Sequence, residues 1–230
     1  MIRVILWDVD NTLLDFPAAE RAAIQQCFDK FDLGWCDEAQ LARYHAINHK
    51  YWRLLEEGKM TRPQILVGRF EEFLAGEGMD PSIAAAFNDA YQMFLGETVC
   101  FRDNGYQLVE RLRGRVGQYA VTNGTKAAQD RKLEKSGLIR LFDGVFISEE
   151  VGVDKPNIGF FDHVFANIPP VDRGDVLIVG DSLTSDMQGG LNAGIQCCWY
   201  NPEHLPLPEG MELEFVIDDL NQVEEILFYS

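Results

Sequence analysis

The chain has 230 residues, 47% of them apolar and 25% charged, which is the composition of a globular protein and not of a disordered or fibrous one. Its formal net charge is -17, because 37 acidic residues outnumber 20 basic ones. Such a surface repels nucleic acids and anionic membranes, so neither is an expected partner. It also repels a free phosphate ester, and a site for one must therefore gather positive charge locally, from a metal ion, a lysine or backbone N–H groups.

The five cysteines are odd in number and lack the C-x-x-C spacing of a zinc site. Cys197 and Cys198 are neighbours, so in a strand their side chains point to opposite faces. We interpret the cysteines as free thiols of a reducing compartment and expect a cytoplasmic protein. The first residues predict a strand and not a signal peptide, and no apolar run approaches the roughly 20 residues that a membrane span needs.

Short apolar runs rich in β-branched residues recur along the chain, and each ends in polar or glycine-containing residues. They are Val4–Trp7, Tyr119–Val121, Val145–Ile147, Val176–Val179, Ile195–Trp199 and Phe215–Ile217. Continuous apolarity is typical of strands that are buried on both faces, as in parallel sheets covered by helices.

Helix signals stand between these strands. Thr125 can cap a helix that runs through Lys135, and Gly137 suits its C-terminal left-handed position. Thr184 or Ser185 can cap another helix that stops before Gly194. The alternation of strand, polar turn and helix predicts an α/β protein with a doubly wound, Rossmann-like, mostly parallel sheet.

The segment from about Phe16 to Leu95 contains no convincing strand. Asp37 can start a long helix that Gly58 ends. Further helix starts are a capping box of Thr61 with Gln64, and Asp80-Pro81.

These signals predict an inserted helical domain. We expect a catalytic core formed by residues 1–15 and 100–230, with an all-helical cap domain at 16–99. The insertion follows the tip of the first strand, which is where α/β sheets bind their ligands.

Four short polar segments follow predicted strands in chain order. They are Asp8-Val9-Asp10-Asn11-Thr12-Leu13, Thr122-Asn123-Gly124, Lys155-Pro156 and Gly180-Asp181-Ser182-Leu183-Thr184-Ser185-Asp186. Each segment alone is more often a turn, a loop or a helix cap. The ordered set is much harder to obtain by accident, and it predicts a functional site at the carboxyl edge of the sheet.

The carboxylates of this set suit a hard metal ion. Asp8 and Asp10 lie two residues apart in a turn and repel each other unless a cation sits between them. Asp181 can complete an oxygen-rich site, which favours Mg²⁺ when a phosphate also coordinates. Asp8 is then an ionised nucleophile, whereas Asp10 can protonate the leaving alkoxide and later deprotonate water.

The remaining members can bind the phosphoryl group. Thr122, Asn123 and backbone N–H groups near Gly124 can hold its oxygens at a helix N-terminus. Lys155 adds positive charge that offsets the charge developing on the transferred group. Asp186 can orient the ammonium of Lys155.

The chain resembles the haloacid dehalogenase-like hydrolase superfamily over essentially its whole length. The resemblance lies in four motifs, which are in chain order Asp-x-Asp-x-Thr from Asp8, Thr-Asn-Gly from Thr122, Lys155, and Gly-Asp-Ser-x-x-x-Asp ending at Asp186. It implies a Mg²⁺-dependent phosphatase that forms an aspartyl-phosphate on Asp8.

The same resemblance implies further roles for these residues. Asp8, the backbone carbonyl of Asp10, and Asp181 bind the ion, and Asp10 is also the general acid and base. Thr122 and Lys155 stabilise the phosphoryl group, while Asp186 supports the ion and the lysine. The helical insertion resembles the type 1 cap of subfamily I, which closes over the substrate.

A narrower resemblance concerns the pyrimidine nucleoside 5′-monophosphatase branch and implies a nucleotide as the small-molecule substrate. It rests on Thr122–Gly124, Arg131–Leu133, Ser136–Leu138, Ile147–Val153 and Lys155-Pro156, and on residues 48–58 with Trp52 and Glu57.

Alternative activities share the same core. They are sugar-phosphate or phosphoglycolate phosphatases and phosphosugar mutases, since substrate choice in the superfamily lies in the cap. Its dehalogenases lack the second aspartate and need no Mg²⁺, so Asp10 argues against that activity. A non-catalytic binding protein of this fold commonly lacks the nucleophile, whereas Asp8 is present. The sequence favours no oligomeric state.

For several cap residues, contact with the substrate is an alternative to a packing or surface role. Trp52, Tyr51 and Phe70 are predicted to be cap core, with stacking of Trp52 on a base as the alternative. Arg62 and Arg69 are predicted to lie on solvated helix faces, with contact to a second anionic group as the alternative.

Overall fold

The structure is a computed structural model that describes residues 1–229, the side chain of Tyr229 excepted. The chain forms two compact units. The first comprises Met1–Phe16 and Val99–Ser230, and the second comprises Pro17–Thr98.

A six-stranded parallel sheet forms the centre of the first unit. Its strands are β1 (Val4–Trp7), β2 (Gly117–Thr122), β3 (Gly144–Ile147), β4 (Val176–Gly180), β5 (Gln196–Tyr200) and β6 (Phe215–Ile217). Their spatial order is β3-β2-β1-β4-β5-β6, and every neighbouring pair is parallel. The predicted doubly wound sheet is therefore confirmed. The strand order reverses at β1, so the crevice where such sheets bind ligands lies at the carboxyl ends of β1 and its neighbour β4.

Both faces of the central strands β1 and β4 are buried, as continuous apolar strands require. In β1, Ile5 and Trp7 pack into one apolar cluster, and Val4 and Leu6 into the other. The adjacent Cys197 and Cys198 of β5 likewise enter opposite clusters, as predicted. All five cysteines are free thiols.

The helices of the chain are α1 (Phe16–Lys30), α2 (Glu38–Glu56), α3 (Arg62–Gly76), α4 (Ala84–Leu95), α5 (Gly105–Leu112), α6 (Lys126–Ser136), α7 (Ser148–Val151), α8 (Ile158–Ala166), α9 (Gln188–Ala193) and α10 (Gln222–Tyr229). Among the residues described, none of these helices combines the length and apolarity that a bilayer crossing demands.

The predicted ends of α6 are confirmed. The Thr125 side chain accepts from the Ala128 N–H, and Gly137 follows the helix with a φ of 78°. The predicted start of α9 was wrong, because Ser182 and not Thr184 or Ser185 provides the cap. The Ser182 hydroxyl accepts from the Ser185 N–H and begins a π-helical turn, Leu183–Met187, that leads into α9.

The second unit is helical, and residues 17–98, all of them described, contain no strand. Asp37 caps α2 in a reciprocal capping box with Gln40. Gln64 accepts from the backbone N–H of Thr61, ahead of α3. Asp80 caps a short 3₁₀ turn, Pro81–Ile83, that precedes α4, so the helix itself starts later than Asp80-Pro81 indicated.

Arg69 is buried, and its prediction as a solvated residue was wrong. Its side chain is only 1% exposed. Its guanidinium donates to Asn48 Oδ1 at 2.6 Å and to Asn88 Oδ1 at 3.2 Å, and it lies 4.8 Å from the centre of the Phe70 ring. Amide acceptors and an aromatic face thus replace the water that a solvated arginine would keep.

Trp52 is half-buried on α2. The guanidinium carbons of Arg62 and Arg69 lie 5.6 and 5.9 Å from the centre of its ring. The indole therefore packs against two arginines of α3, and Phe70 is fully buried, in line with the prediction of a packing role.

Candidate active site

The predicted site residues follow neighbouring strands of the sheet. Asp8 comes directly after β1, Thr122 is the last residue of β2, and Asp181 comes directly after β4. Lys155 lies in the segment between α7 and α8 that follows β3. Because β1 lies between β2 and β4, these residues meet at one edge of the sheet.

Three carboxylates meet at this edge. One oxygen from each of Asp8, Asp181 and Asp186 lies within 4.8 Å of the others. Burial, followed by repulsion from Asp186, raises the pKa of Asp8 well above its usual value. The same two causes, in the same order, raise the pKa of Asp181 to about 7. The site therefore carries more negative charge than its own groups neutralise.

Lys155 is the cation inside this cluster, and only 1% of it is exposed. Its ammonium donates to Asp8 Oδ1 at 2.9 Å, to Asp186 Oδ1 at 2.6 Å and to the Val121 carbonyl at 2.8 Å. All three of its protons are thus used. Burial acts to lower the pKa of Lys155, but Asp186 and Asp8 outweigh it and raise that pKa, so the ammonium stays charged.

Thr12 links the first and fourth motifs. Its buried hydroxyl donates to Asp8 Oδ2 at 2.9 Å and accepts from the backbone N–H of Asp181 at 3.1 Å. A hydroxyl can donate one hydrogen bond while it accepts another, so Thr12 satisfies both groups. The sequence reasoning included Thr12 in the first motif but gave it no role.

Asn11 connects Asp181 to Arg102, which lies shortly after the chain re-enters the first unit at Val99. Its backbone adopts a φ of 66°, and its amide donates to Asp181 Oδ2 at 2.8 Å. Arg102 in turn donates to Asn11 Oδ1 at 2.6 Å. No sequence pattern marks Arg102, because its partner is 91 residues away along the chain.

Gly180 explains how Asp186 enters the cluster. A Cβ atom at position 180 would lie 2.3 Å from Asp186 Oδ2, which is far inside any allowed contact. That oxygen accepts from the backbone N–H of Ser182 at 3.1 Å. The fourth motif therefore needs glycine at 180 so that the Asp186 carboxylate can fold back against the strand end.

Thr122 and Asn123, which are predicted to bind a phosphoryl group, make hydrogen bonds within the protein. The Thr122 hydroxyl accepts from the Gly124 N–H at 3.1 Å. The Asn123 amide donates to the Lys155 carbonyl and accepts from the Lys155 N–H, both at 2.9 Å. Asn123 thus joins the second motif to the third, and through this pair it fixes the backbone that carries Lys155.

Asp10 faces a different set of partners from Asp8. Its Oδ2 accepts from the Gln129 amide at 2.6 Å, and its Oδ1 pairs with the Lys132 ammonium. Both partners lie on α6. Sequence reasoning missed Gln129, and it included Lys132 only within Arg131–Leu133 of the narrower resemblance, without a role of its own.

We predict that Thr12→Val destabilises the protein by about 1–3 kcal/mol, because valine keeps the shape but leaves a buried N–H and a carboxylate oxygen without their partner. Thr12→Ser keeps the hydroxyl and serves as the matched control. Chemical denaturation of both variants measures the difference. Equal stability of the valine and serine variants would show that this hydroxyl link contributes nothing.

Comparison with known proteins agrees with this geometry. Residues 5–200 match the family model of the haloacid dehalogenase-like hydrolases. The Bacillus subtilis HAD-hydrolase YfnB is 38% identical over 208 residues, which cover 90% of this chain and 88% of that protein. Its magnesium-bound crystal structure superposes with a TM-score of 0.93 at 36% identity and covers 99% of both chains.

Two further relatives are nucleotidases. The Escherichia coli pyrimidine 5′-nucleotidase YjjG is 33% identical and covers 97% of this chain and 96% of its own length. The Streptococcus pneumoniae pyrimidine 5′-nucleotidase PynA is 35% identical, with 98% and 99% covered. The matched motifs, the parallel sheet and these relatives all agree. The chain therefore belongs to the haloacid dehalogenase-like hydrolases.

Proposed function

We propose that the chain is a magnesium-dependent phosphatase that cleaves pyrimidine nucleoside 5′-monophosphates through an aspartyl-phosphate on Asp8. The observation that carries this proposal is the buried Asp8 carboxylate, which is fixed by Lys155 and Thr12 inside a cluster of acidic groups. The two nucleotidase relatives support the choice of substrate.

The charge of the cluster supports a divalent ion. Asp8, Asp181 and Asp186 together carry three negative charges when ionised, and Lys155 offsets one of them. The two charges left over match one Mg²⁺, and the donors are the oxygen atoms that this ion prefers. Asp8, Asp181 and the backbone carbonyl of Asp10 would hold the ion, with Asp186 in support. When bound, it supplies Lewis-acid polarisation of a phosphoryl oxygen.

In the proposed reaction, Asp8 is the nucleophile and Asp10 transfers the protons. Asp8 attacks phosphorus, and the bond from phosphorus to the leaving oxygen breaks while Asp10 gives that oxygen its proton. Water next attacks the aspartyl-phosphate, Asp10 takes a proton from it, and inorganic phosphate leaves with Asp8 restored.

Positive groups offset the charge on the transferred phosphoryl group. Lys155 lies against Asp8 and is held there by Asp186, so its positive charge stands beside the reacting carboxylate before the substrate arrives. The Thr122 hydroxyl accepts from the Gly124 N–H and can donate its own proton to a phosphoryl oxygen. This division gives the acidic chain the local positive charge that a phosphate ester requires.

We predict that Asp8→Asn lowers kcat on the order of 10⁴-fold or more, because the amide cannot form the covalent intermediate. Phosphate release from an aryl phosphate measures the loss, with circular dichroism as the check on folding. Asp162→Asn, on the exposed side of α8, is the matched control and keeps full activity. Turnover that persists in Asp8→Asn, in protein shown by mass spectrometry to be free of deamidation, would remove Asp8 as the nucleophile.

We predict that chelation abolishes activity, that Mg²⁺ restores it, and that Mg²⁺ binds more tightly as the pH rises. The pKa of Asp181 is raised to about 7, so below that pH a proton occupies the carboxylate and must leave before the ion binds. The dissociation constant for Mg²⁺ should therefore rise up to about tenfold per pH unit below that pKa. Calorimetry at several pH values measures it. A constant affinity across that range, or full activity after exhaustive chelation, would contradict the site.

We predict that dUMP and dTMP exceed sugar phosphates and phosphoglycolate in kcat/KM. Phosphate release across this panel, with Mg²⁺ present, measures the preference, and transfer of phosphate between sugar positions is assayed in the same samples. If a sugar phosphate outruns both nucleotides, the nucleotide preference is wrong while the phosphatase activity stands. If transfer outruns release, the chain is a mutase.

A further inference from the structure

A lysine outside the four motifs is buried in the first unit. Lys132 on α6 is 1% exposed, whereas Lys126 and Lys135 of the same helix are exposed. A buried ammonium is costly unless it is paired. The carboxylate that pairs with Lys132 is that of Asp10, and the ring centre of Phe16 lies 5.3 Å from the ammonium.

Gln129 lies one turn before Lys132 on the same helix face and is also 1% exposed. Its amide nitrogen donates to Asp10 Oδ2 at 2.6 Å, while Lys132 takes Oδ1. Both oxygens of Asp10 are thus held from α6. A carboxylate that is held at both oxygens has a fixed orientation.

Gly124 makes room for this contact. A Cβ atom at position 124 would lie 2.1 Å from the Gln129 amide nitrogen and 2.8 Å from its Cγ and Cδ atoms. Any side chain at 124 would therefore displace Gln129 from Asp10. Gly124 of the second motif thus allows Gln129 to contact Asp10 of the first motif.

The other end of the Gln129 amide is buried and unsatisfied. Among the described residues, its Oε1 has no hydrogen-bond partner. The NH₂ end of the Gln129 amide is thus the end that the fold holds in place, and Asp10 is the acceptor that holds it.

We propose that Lys132 and Gln129 are positioning residues that fix Asp10 for proton transfer to the leaving oxygen. The proposal rests on the proposed function, since it assumes that Asp10 is the proton donor. In this step the Asp8 oxygen–phosphorus bond forms and the phosphorus–leaving oxygen bond breaks. The proton of Asp10 moves to the leaving oxygen, and the Asp10 carboxylate that results stays paired with Lys132.

The dependence of rate on the leaving group reports this role. A phenolate of high basicity needs the proton of Asp10 in order to leave, whereas 2,4-dinitrophenolate leaves readily as an anion. Loss of Asp10 orientation should therefore slow a poor leaving group and spare a good one. A purely structural defect slows all substrates alike.

The test compares kcat/KM for phenyl, 4-nitrophenyl and 2,4-dinitrophenyl phosphate, because kcat/KM covers the steps through cleavage of the ester bond. We expect Lys132→Met to lose about 10- to 100-fold on phenyl phosphate and less than about threefold on 2,4-dinitrophenyl phosphate, within the range of general acid catalysis. The ratio of the two substrates cancels any difference in the folded fraction. Gln129→Leu should shift the ratio in the same direction, which keeps the test valid if Lys132→Met fails to fold.

Lys135→Met, on the exposed side of the same helix, is the matched control and should keep the wild-type ratio. Asp10→Asn should show the steepest dependence on the leaving group. An unchanged ratio in both Lys132→Met and Gln129→Leu, with the wild type active, overturns this inference alone. A wild type that releases phosphate neither from these three esters nor from dUMP and dTMP overturns the proposed function itself.

Discussion

Repulsion among buried carboxylates is the constraint on which the site depends. Three carboxylates meet at the edge of the sheet: Asp8 and Asp181 follow strand ends, and Asp186 lies in a helical turn. Burial there disfavours the charged form and raises the pKa values of Asp8 and Asp181. The ammonium of Lys155 contacts two of these carboxylates and also donates to the backbone carbonyl of Val121 in β2. Removal of one partner from such a cluster leaves an unpaired buried charge, which costs more than the pair itself contributes.

The backbone around these groups is built to let them approach. Gly180 removes the one atom that would collide with Asp186, and Gly124 does the same for Gln129. Thr12 then holds a carboxylate of the first motif and a backbone N–H of the fourth at the same hydroxyl. Motif residues that carry no charge are thus as necessary to the geometry as the aspartates, because they set how closely the charged groups meet.

The sheet was predictable from sequence because its central strands are buried on both faces and are therefore unbroken apolar runs in the sequence. The ends of α6 were predictable at Thr125 and Gly137, whereas the start of α9 was not, because Ser182, Thr184 and Ser185 all offer a capping hydroxyl. Single residues in helices were not predictable. Arg69, Gln129 and Lys132 look like ordinary polar positions, and only the fold shows that amide, aromatic or carboxylate groups from elsewhere in the chain surround them. The roles of the site residues stay predictions.

The two aspartates of the first motif are only two residues apart, yet they face different cations. Asp8 contacts Lys155, which it shares with Asp186, while Asp10 pairs with Lys132 and takes its second contact from a neutral amide. The turn after β1 sends one carboxylate into the acidic cluster and the other toward α6. The proposed nucleophile and the proposed proton carrier thus stand in different surroundings, as two carboxylates with different tasks require.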